Sequence, residues 1–468
     1  MKAWGWILLG IAGVVAVGWP LGMRYVERRH PARVTLVLDQ GGLTQEELKG
    51  LQLHLSDHLE AFGGLTVIGA SQDPKDNYPC LHLRAERRGT GLALQGTLRD
   101  RRGEHPVEAR SEHPEVAIHE SLSGLLGPRA EDPLDVRHEG SFWPLMRLLS
   151  GPYLLPERDM VAAVREADRL LAEDASASVG LARSHLKFRL LVASADADVE
   201  AHASCDRAFA EALAPLPTYP RLVNLYARFR TDVGDQKGAL DLTFRALKEL
   251  PKVASLHDSA AYAARTSGLL EGAIRAVRRR DELGGTVGQD YFLVENTLLY
   301  QGRWAEFQKG LEATPAKEPV QAFYLGYIRL VRNQPGAAES FESAIHMKAG
   351  LKVFQNLAEV YSEALLGRKE EALAKLRLID EERVRTLVPD GELTFKLAEA
   401  YGYLGRDGEA FDLAQRAFGQ GFACTDWYER APFLVRLQEK PAWKGLLAAM
   451  RERQERMEAR FPADRFGK

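Results

Sequence analysis

The sequence predicts an α+β chain in three stretches: an N-terminal transmembrane helix, a small α/β sandwich domain, and a long all-α solenoid of paired helices. Three observations lead there. Residues 4–23 carry no charge. Residues 33–127 alternate short β-branched runs with leucine-rich helical stripes. Beyond Pro133 the strand signal gives way to helical periodicity, in which Gly234, Gly268 and Gly302 recur at 268 − 234 = 34 and 302 − 268 = 34 residues. At 468 residues the chain exceeds one ordinary core, and 45% hydrophobic against 27% charged residues suits folded domains rather than disorder or a multi-span membrane protein. Sixty-two basic against 65 acidic residues leave a net charge of −3. No global positive field is then available to release counterions from a phosphate backbone, so nucleic acid is not an expected partner. Cys80, Cys205 and Cys424 lie far apart with no C-x-x-C, which points to neither a zinc site nor a disulfide framework.

The first stretch, 1–30, reads as a membrane anchor with its juxtamembrane segment. Twenty uncharged residues, WGWILLGIAGVVAVGWPLGM, span about 30 Å as a helix, enough to cross the hydrocarbon. Trp4, Trp6 and Trp19 stand near its ends, and Arg24, Arg28, Arg29 and Arg33 follow. A cleaved signal peptide is the alternative, with Ala16 and Gly18 as small residues near a cleavage site, although Lys2 and the amino terminus make a thin charged leader. The arginines after the span favour a cytoplasmic body by the positive-inside rule.

Residues 31–130 predict the order β-α-β-β-β-α in two layers. RVTLVLD at 33–39 is a strand broken by Gly41-Gly42. Thr44 and Glu47 have capping-box spacing, and Leu48, Leu51, Leu55, Leu59 and Phe62 make one apolar helical stripe. Gly63-Gly64 ends that helix, 65–71 reads as a second strand, and 81–85 with 92–98 form a hairpin turning through Arg87 to Gly91. Ile118, Leu122 and Leu125 mark a closing helix.

Chemistry is sparse in this domain. His54 and His58 stand four apart on one helix, a spacing that lets two imidazoles face one metal, but no third ligand is in view and no HExxH string is present. The plainer reading has both rings flanking the leucine stripe, so no metal and no cofactor is expected. Gly89, Gly91 and Gly96 lie within a hairpin and do not match a phosphate-binding spacing. Neither G-x-S-x-G nor a Walker lysine motif occurs.

The 34-residue interval also relates Ala239 to Ala273, and Ala203, Ala210 and Pro215 precede Ala239, Ala246 and Pro251 by one unit of 36. The stretch FKLAEAYGYLGRDGEAFDLAQRAF carries Leu397-Ala398, Tyr401, Gly405, Ala410, Ala414 and Ala417, and a second copy has Leu325-Gly326, Ala337, Phe341 and Ala344. On these residues the chain resembles the tetratricopeptide-repeat (TPR) family, which implies six or seven helix-pair units within 131–425. Two extra residues before Gly367, and Phe307 in place of a small residue, depart from that pattern. The tail 426–468 reads as capping helices. Trp427, Pro432, Phe433, Leu437, Pro441, Trp443 and Leu446 resemble the end of bacterial TPR regions attached to TolB-like amino-terminal domains, and 33–127 is similar to that domain in element order. That resemblance implies a periplasmic body on a bacterial inner membrane, against the arginine signal.

A TPR superhelix lines its concave face with the first helix of each unit, where an extended peptide can lie. Arg221, Asn224 and Arg228 fall on one such face, and guanidinium forks suit a carboxylate. The same offsets give Tyr262 and Arg265, then Asn296 and Tyr300, then Phe323 and Tyr327. Solvated charges and aromatics that pack between units are the plainer alternative. The expected function is a non-catalytic, membrane-anchored scaffold or adaptor that takes a protein or peptide partner. The alternative is a sensory module, in which the TolB-like domain binds a small ligand and the repeats transmit.

Overall fold

A computed structural model describes residues 33–69, 79–100, 103–126, 132–193, 199–284, 293–313, 316, 318–347, 352–385 and 388–468. The uncharged stretch 4–23 lies outside these. Among the described residues no helix is long and apolar enough to cross a membrane.

The N-terminal unit is a five-stranded mixed sheet with helices on it: β1 (Arg33–Gln40), α1 (Gln45–Gly63), β2 (Thr66–Gly69), β3 (Cys80–Arg88), β4 (Gly91–Asp100), β5 (Gly103–Ser111) and α2 (Pro114–Leu126). Strand order is β2-β1-β3-β4-β5, with β1 parallel to both neighbours and β3-β4-β5 an antiparallel meander. One strand more is present than the sequence predicts. β5, GEHPVEARS, has almost no apolar side chains because it is an edge, where charges and Pro106 are tolerated.

Local signals explain α1. The Thr44 hydroxyl accepts from the Glu47 amide at 3.2 Å, and the Glu47 carboxylate accepts from the Thr44 amide at 3.3 Å, closing the capping box. Leu51, Leu55 and Leu59 are fully buried, and Gly64 ends the helix in the left-handed conformation. Glu47 also receives Arg87 of β3 at 2.8 Å and Arg147 at 3.0 Å, so one carboxylate ties the helix start to the sheet and to the next helix. At Gly50 any Cβ would lie 1.8 Å from the Met146 carbonyl oxygen, which only glycine permits.

That neighbour is α3 (Phe142–Leu154), followed by α4 (Glu157–Glu173) and then seven helix pairs. They are α5 (Ala177–Ala193) with α6 (Val199–Leu213), α7 (Pro220–Asp232) with α8 (Gln236–Glu249), and α9 (Ala254–Thr266) with α10 (Leu270–Glu282). Next come α11 (Leu293–Tyr300) with α12 (Trp304–Glu312), α13 (Pro319–Val331) with α14 (Ala337–His346), α15 (Lys352–Leu365) with α16 (Lys369–Val384), and α17 (Gly391–Tyr403) with α18 (Asp407–Gly419). The tail forms α19 (Thr425–Arg430), α20 (Val435–Gln438) and α21 (Pro441–Arg460). In six of the pairs the turn carries a left-handed glycine: Gly234, Gly268, Gly302, Gly336, Gly367 and Gly405. Gly336 extends the constant interval by 336 − 302 = 34.

The array curls until its end rests on its earlier turns. The Asp390 amide donates to the Asp232 carbonyl at 3.0 Å, and the Ala423 amide to the Thr266 carbonyl at 2.9 Å. Arg453 reaches Gln236 at 3.1 Å, Arg460 chelates Asp241 at 2.8 Å, and Phe461 and Phe466 pack on Phe244. One apolar core runs from the sheet through α10 and takes in Met457, Phe461 and Phe466, while a second fills the later pairs around Trp427 and Trp443.

Candidate functional site

Curling brings α17 against the inner face of α9, α11 and α13, and this decides what the predicted peptide-contact residues touch. Arg265 donates to Glu392 at 2.7 Å, Asn296 stands 3.5 Å from the same carboxylate, and the Tyr300 hydroxyl also donates to it. Tyr327 donates to Glu399 at 2.6 Å, and Lys396 pairs with Glu399 at 2.7 Å. The Lys396 ammonium lies 4.9 Å from the ring centre of Tyr327, 5.0 Å from Trp427, 5.5 Å from Tyr324 and 5.6 Å from Tyr300, an aromatic cage around one cation. Burial and the facing carboxylates push the Tyr300, Tyr324 and Tyr327 hydroxyls well above the ordinary phenol range, and they stay protonated; Tyr300 and Tyr327 donate to the carboxylates, and Tyr324 accepts from the Asn296 amide at 3.2 Å.

Arg265, Asn296, Tyr300 and Tyr327 are therefore closed off from solvent, and a peptide does not reach them in this conformation. The carboxylate that Arg265 grips belongs to the same chain. Arg221 is spent similarly: its guanidinium meets Asp57 of α1 at 3.0 Å, and Asp57 also accepts the Tyr219 hydroxyl at 2.7 Å. Besides Arg221, three more of the eight residues are not fully buried. Asn224 is half-buried and donates to the Ser255 carbonyl at 2.8 Å, and Tyr262 is half-buried and donates to Asp232 at 2.6 Å. Arg228, its side chain 50% exposed, stands 4.0 Å from the same Asp232. Together they form a rim along α7 and α9.

A second cluster lies where α1 and α2 meet the start of the array. His54 Nε2 is 3.0 and 3.1 Å from the two oxygens of Glu115, and 3.3 Å from His58 Nε2. His58 Nδ1 is 3.1 Å from Asp132, and His119, one turn beyond Glu115, is 2.9 Å from both oxygens of Asp135. Ser178 of α5 stands 3.4 Å from His54 Nδ1. His54 and His58 have no exposed surface. Burial opposes a charged His54 ring, yet Glu115 more than offsets it and lifts the ring above the ordinary histidine range; burial likewise opposes the Glu115 charge, and His54 holds that carboxyl below its ordinary range.

The histidine spacing was legible in the sequence; its carboxylate partners were not. Glu115 lies 61 residues from His54 and Asp132 lies 74 from His58, so only tertiary packing brings them together. The acidic first turn of α2 was the one local hint. A cleft of about 550 Å³ near the array's start is lined by His138, Gly140, Ser141, Arg169 and Glu173. Its guanidinium is already held by Glu166 and Glu173 at 2.6 Å. No protein-family model matches the chain, and no curated protein matches it.

Proposed function

We propose that this chain is a non-catalytic, membrane-anchored scaffold of the tetratricopeptide-repeat type, with a TolB-like N-terminal domain, that docks a protein or peptide partner. The observation that carries this reading is the repetition itself: helix pairs turned by left-handed glycines at Gly234, Gly268, Gly302 and Gly336, evenly spaced along the chain. Such an array builds surface rather than a catalytic cleft. Contact with the partner falls on the rim of Asn224, Arg228 and Tyr262, where an amide, a guanidinium and a phenol suit an extended segment bearing a carboxylate. Residues 4–23 supply the anchor, and the family resemblance supports a periplasmic body.

The experiment is capture of partners from detergent-solubilised membranes by the full chain and by its Arg228→Glu variant, both checked for unchanged thermal melting. Loss of a captured protein on charge reversal supports docking at the rim, and an unchanged partner set removes it. A reporter fused to Lys468 reads the side of the membrane.

A sensory role is favoured by one feature, the buried polar contacts that fuse the α/β domain to the array. Besides Tyr219 to Asp57, the Thr66 hydroxyl donates to the Lys252 carbonyl at 2.8 Å and accepts from the Ala254 amide at 3.0 Å. Thermal-shift screening of the full chain against small ligands tests it. A ligand whose shift shrinks in Tyr219→Phe supports transmission, and a library with no shift dismisses it.

A further inference from the structure

We infer that the junction of α1, α2 and the helical array binds one divalent transition-metal ion through Nε2 of His54, Nε2 of His58 and the carboxylate of Glu115. Metal bonds of about 2.0–2.1 Å place tetrahedral ligand atoms about 3.3 Å apart. The corresponding separations are 3.0 Å from His54 Nε2 to Glu115, 3.3 Å between the two Nε2 atoms, and 3.8 Å from His58 Nε2 to Glu115. They bracket that spacing, and both Glu115 oxygens lie on the same side of His54, so a bidentate carboxylate completes an N₂O₂ set.

The groups behind these ligands are those a metal site needs. A ligating histidine passes its other ring N–H to a carboxylate or oxygen acceptor, which fixes the tautomer and sharpens the donor. His58 Nδ1 faces Asp132 at 3.1 Å, and Asp132 is itself held by the Leu134 amide at 2.8 Å. His54 Nδ1 faces the Ser178 hydroxyl, and Glu115 Oε1 takes the Val136 amide at 2.9 Å. With the Nδ1 proton of His58 given to Asp132, its Nε2 lone pair points at His54 Nε2 and the Glu115 carboxylate. In the ion-free chain a proton on His54 Nε2 answers these acceptors; a divalent ion takes its place by binding the neutral imidazoles and the carboxylate, with release of that proton.

Two imidazoles and a carboxylate select a borderline ion, Zn²⁺ before Co²⁺, over Mg²⁺ or Ca²⁺, which prefer all-oxygen shells. With both rings fully buried, the ion is structural: it pins α1 to α2 and, through Asp132 and Ser178, both helices to the first turns of the array. His119, Asp135, Asp132 and the far edge of His58 form an adjoining set with ligand atoms within 4.8 Å of one another. In this assignment they are outer partners.

The test uses the untagged full chain in detergent. Bound metal is measured by elemental analysis, and the protein is stripped with a chelator and titrated with Co²⁺ alone, read by its visible d–d bands and by thermal melting. About one equivalent of Co²⁺, displaced by Zn²⁺ and raising the melting temperature of the stripped chain, is the expected result. Binding should be lost in His54→Gln and Glu115→Gln and kept in His119→Gln and Asp135→Asn. A stripped wild-type chain that takes up no Co²⁺ overturns the site whether or not any variant folds. Binding that survives in His54→Gln and vanishes in Asp135→Asn overturns the ligand assignment.

Discussion

Lys396 is an ammonium with 2% of its side chain exposed, and Glu399, its partner one helical turn on, has none. Such a pair is tolerated inside protein because each charge answers the other and the ring faces of Tyr300, Tyr324, Tyr327 and Trp427 replace lost hydration. Removing one member strands the other. Lys396→Met should cost about 3–5 kcal/mol in urea unfolding, and adding Glu399→Gln should recover much of that loss; a single variant as stable as wild type would show that the pair carries no such burden. His185 makes the opposite kind of buried site. Burial first, then Arg221, Arg189 and Arg228, hold its pKa well below the ordinary histidine value of 6.5, with the Tyr153 ring edge-on beside it. The unfolded chain therefore binds a proton near pH 6 that the folded chain refuses. The His185 contribution to stability is full above about pH 6.5 and falls as pH drops below it, while His54 and His119, with raised pKa values, act in the opposite direction. His185→Gln should flatten that decline in melting temperatures recorded from pH 7.5 to 5.5.

Turns, caps and strands obey local rules, and there the sequence was most legible. The capping box at Thr44 and Glu47, the leucine stripe of α1 and the 34-residue glycine spacing all rest on chemistry a few residues long. The same locality hid β5, whose polar run is stabilised by pairing with β4 rather than by an apolar face of its own. Turn glycines that look alike in sequence differ in what surrounds them. At Gly302, φ is +76° and an added Cβ would meet only the flexible Arg430 side chain at 3.3 Å. At Gly268, φ is +82° and the Cβ would press on the Ala423 carbonyl oxygen at 2.9 Å. Gly302→Ala should cost about 1 kcal/mol for the backbone alone, and Gly268→Ala distinctly more, because it also drives the tail off the array. Equal midpoints and slopes in urea for the two variants would contradict that difference.

Curvature belongs to the whole molecule, and no window of sequence contains it. Periodicity groups Arg265, Asn296, Tyr300 and Tyr327 by helix face, but whether that face meets solvent depends on small rotations summed over several pairs. The contacts that close it join residues as distant as Asp232 and Asp390. The histidine centre was obscured for the same reason, since its carboxylates arrive from α2 and from the segment after it. Closure also makes a prediction. Phe461 is 1% and Phe466 3% exposed against Phe244 of α8, so Phe461→Ala should cost about 3–5 kcal/mol and render α21 sensitive to limited proteolysis, while the fragment upstream stays resistant. An open row of repeats frays from its last unit inward. In this chain the last helix is wedged between earlier ones, so an unfolding motor that grips Lys468 meets stiff resistance at the outset, where an open row would let go one unit at a time.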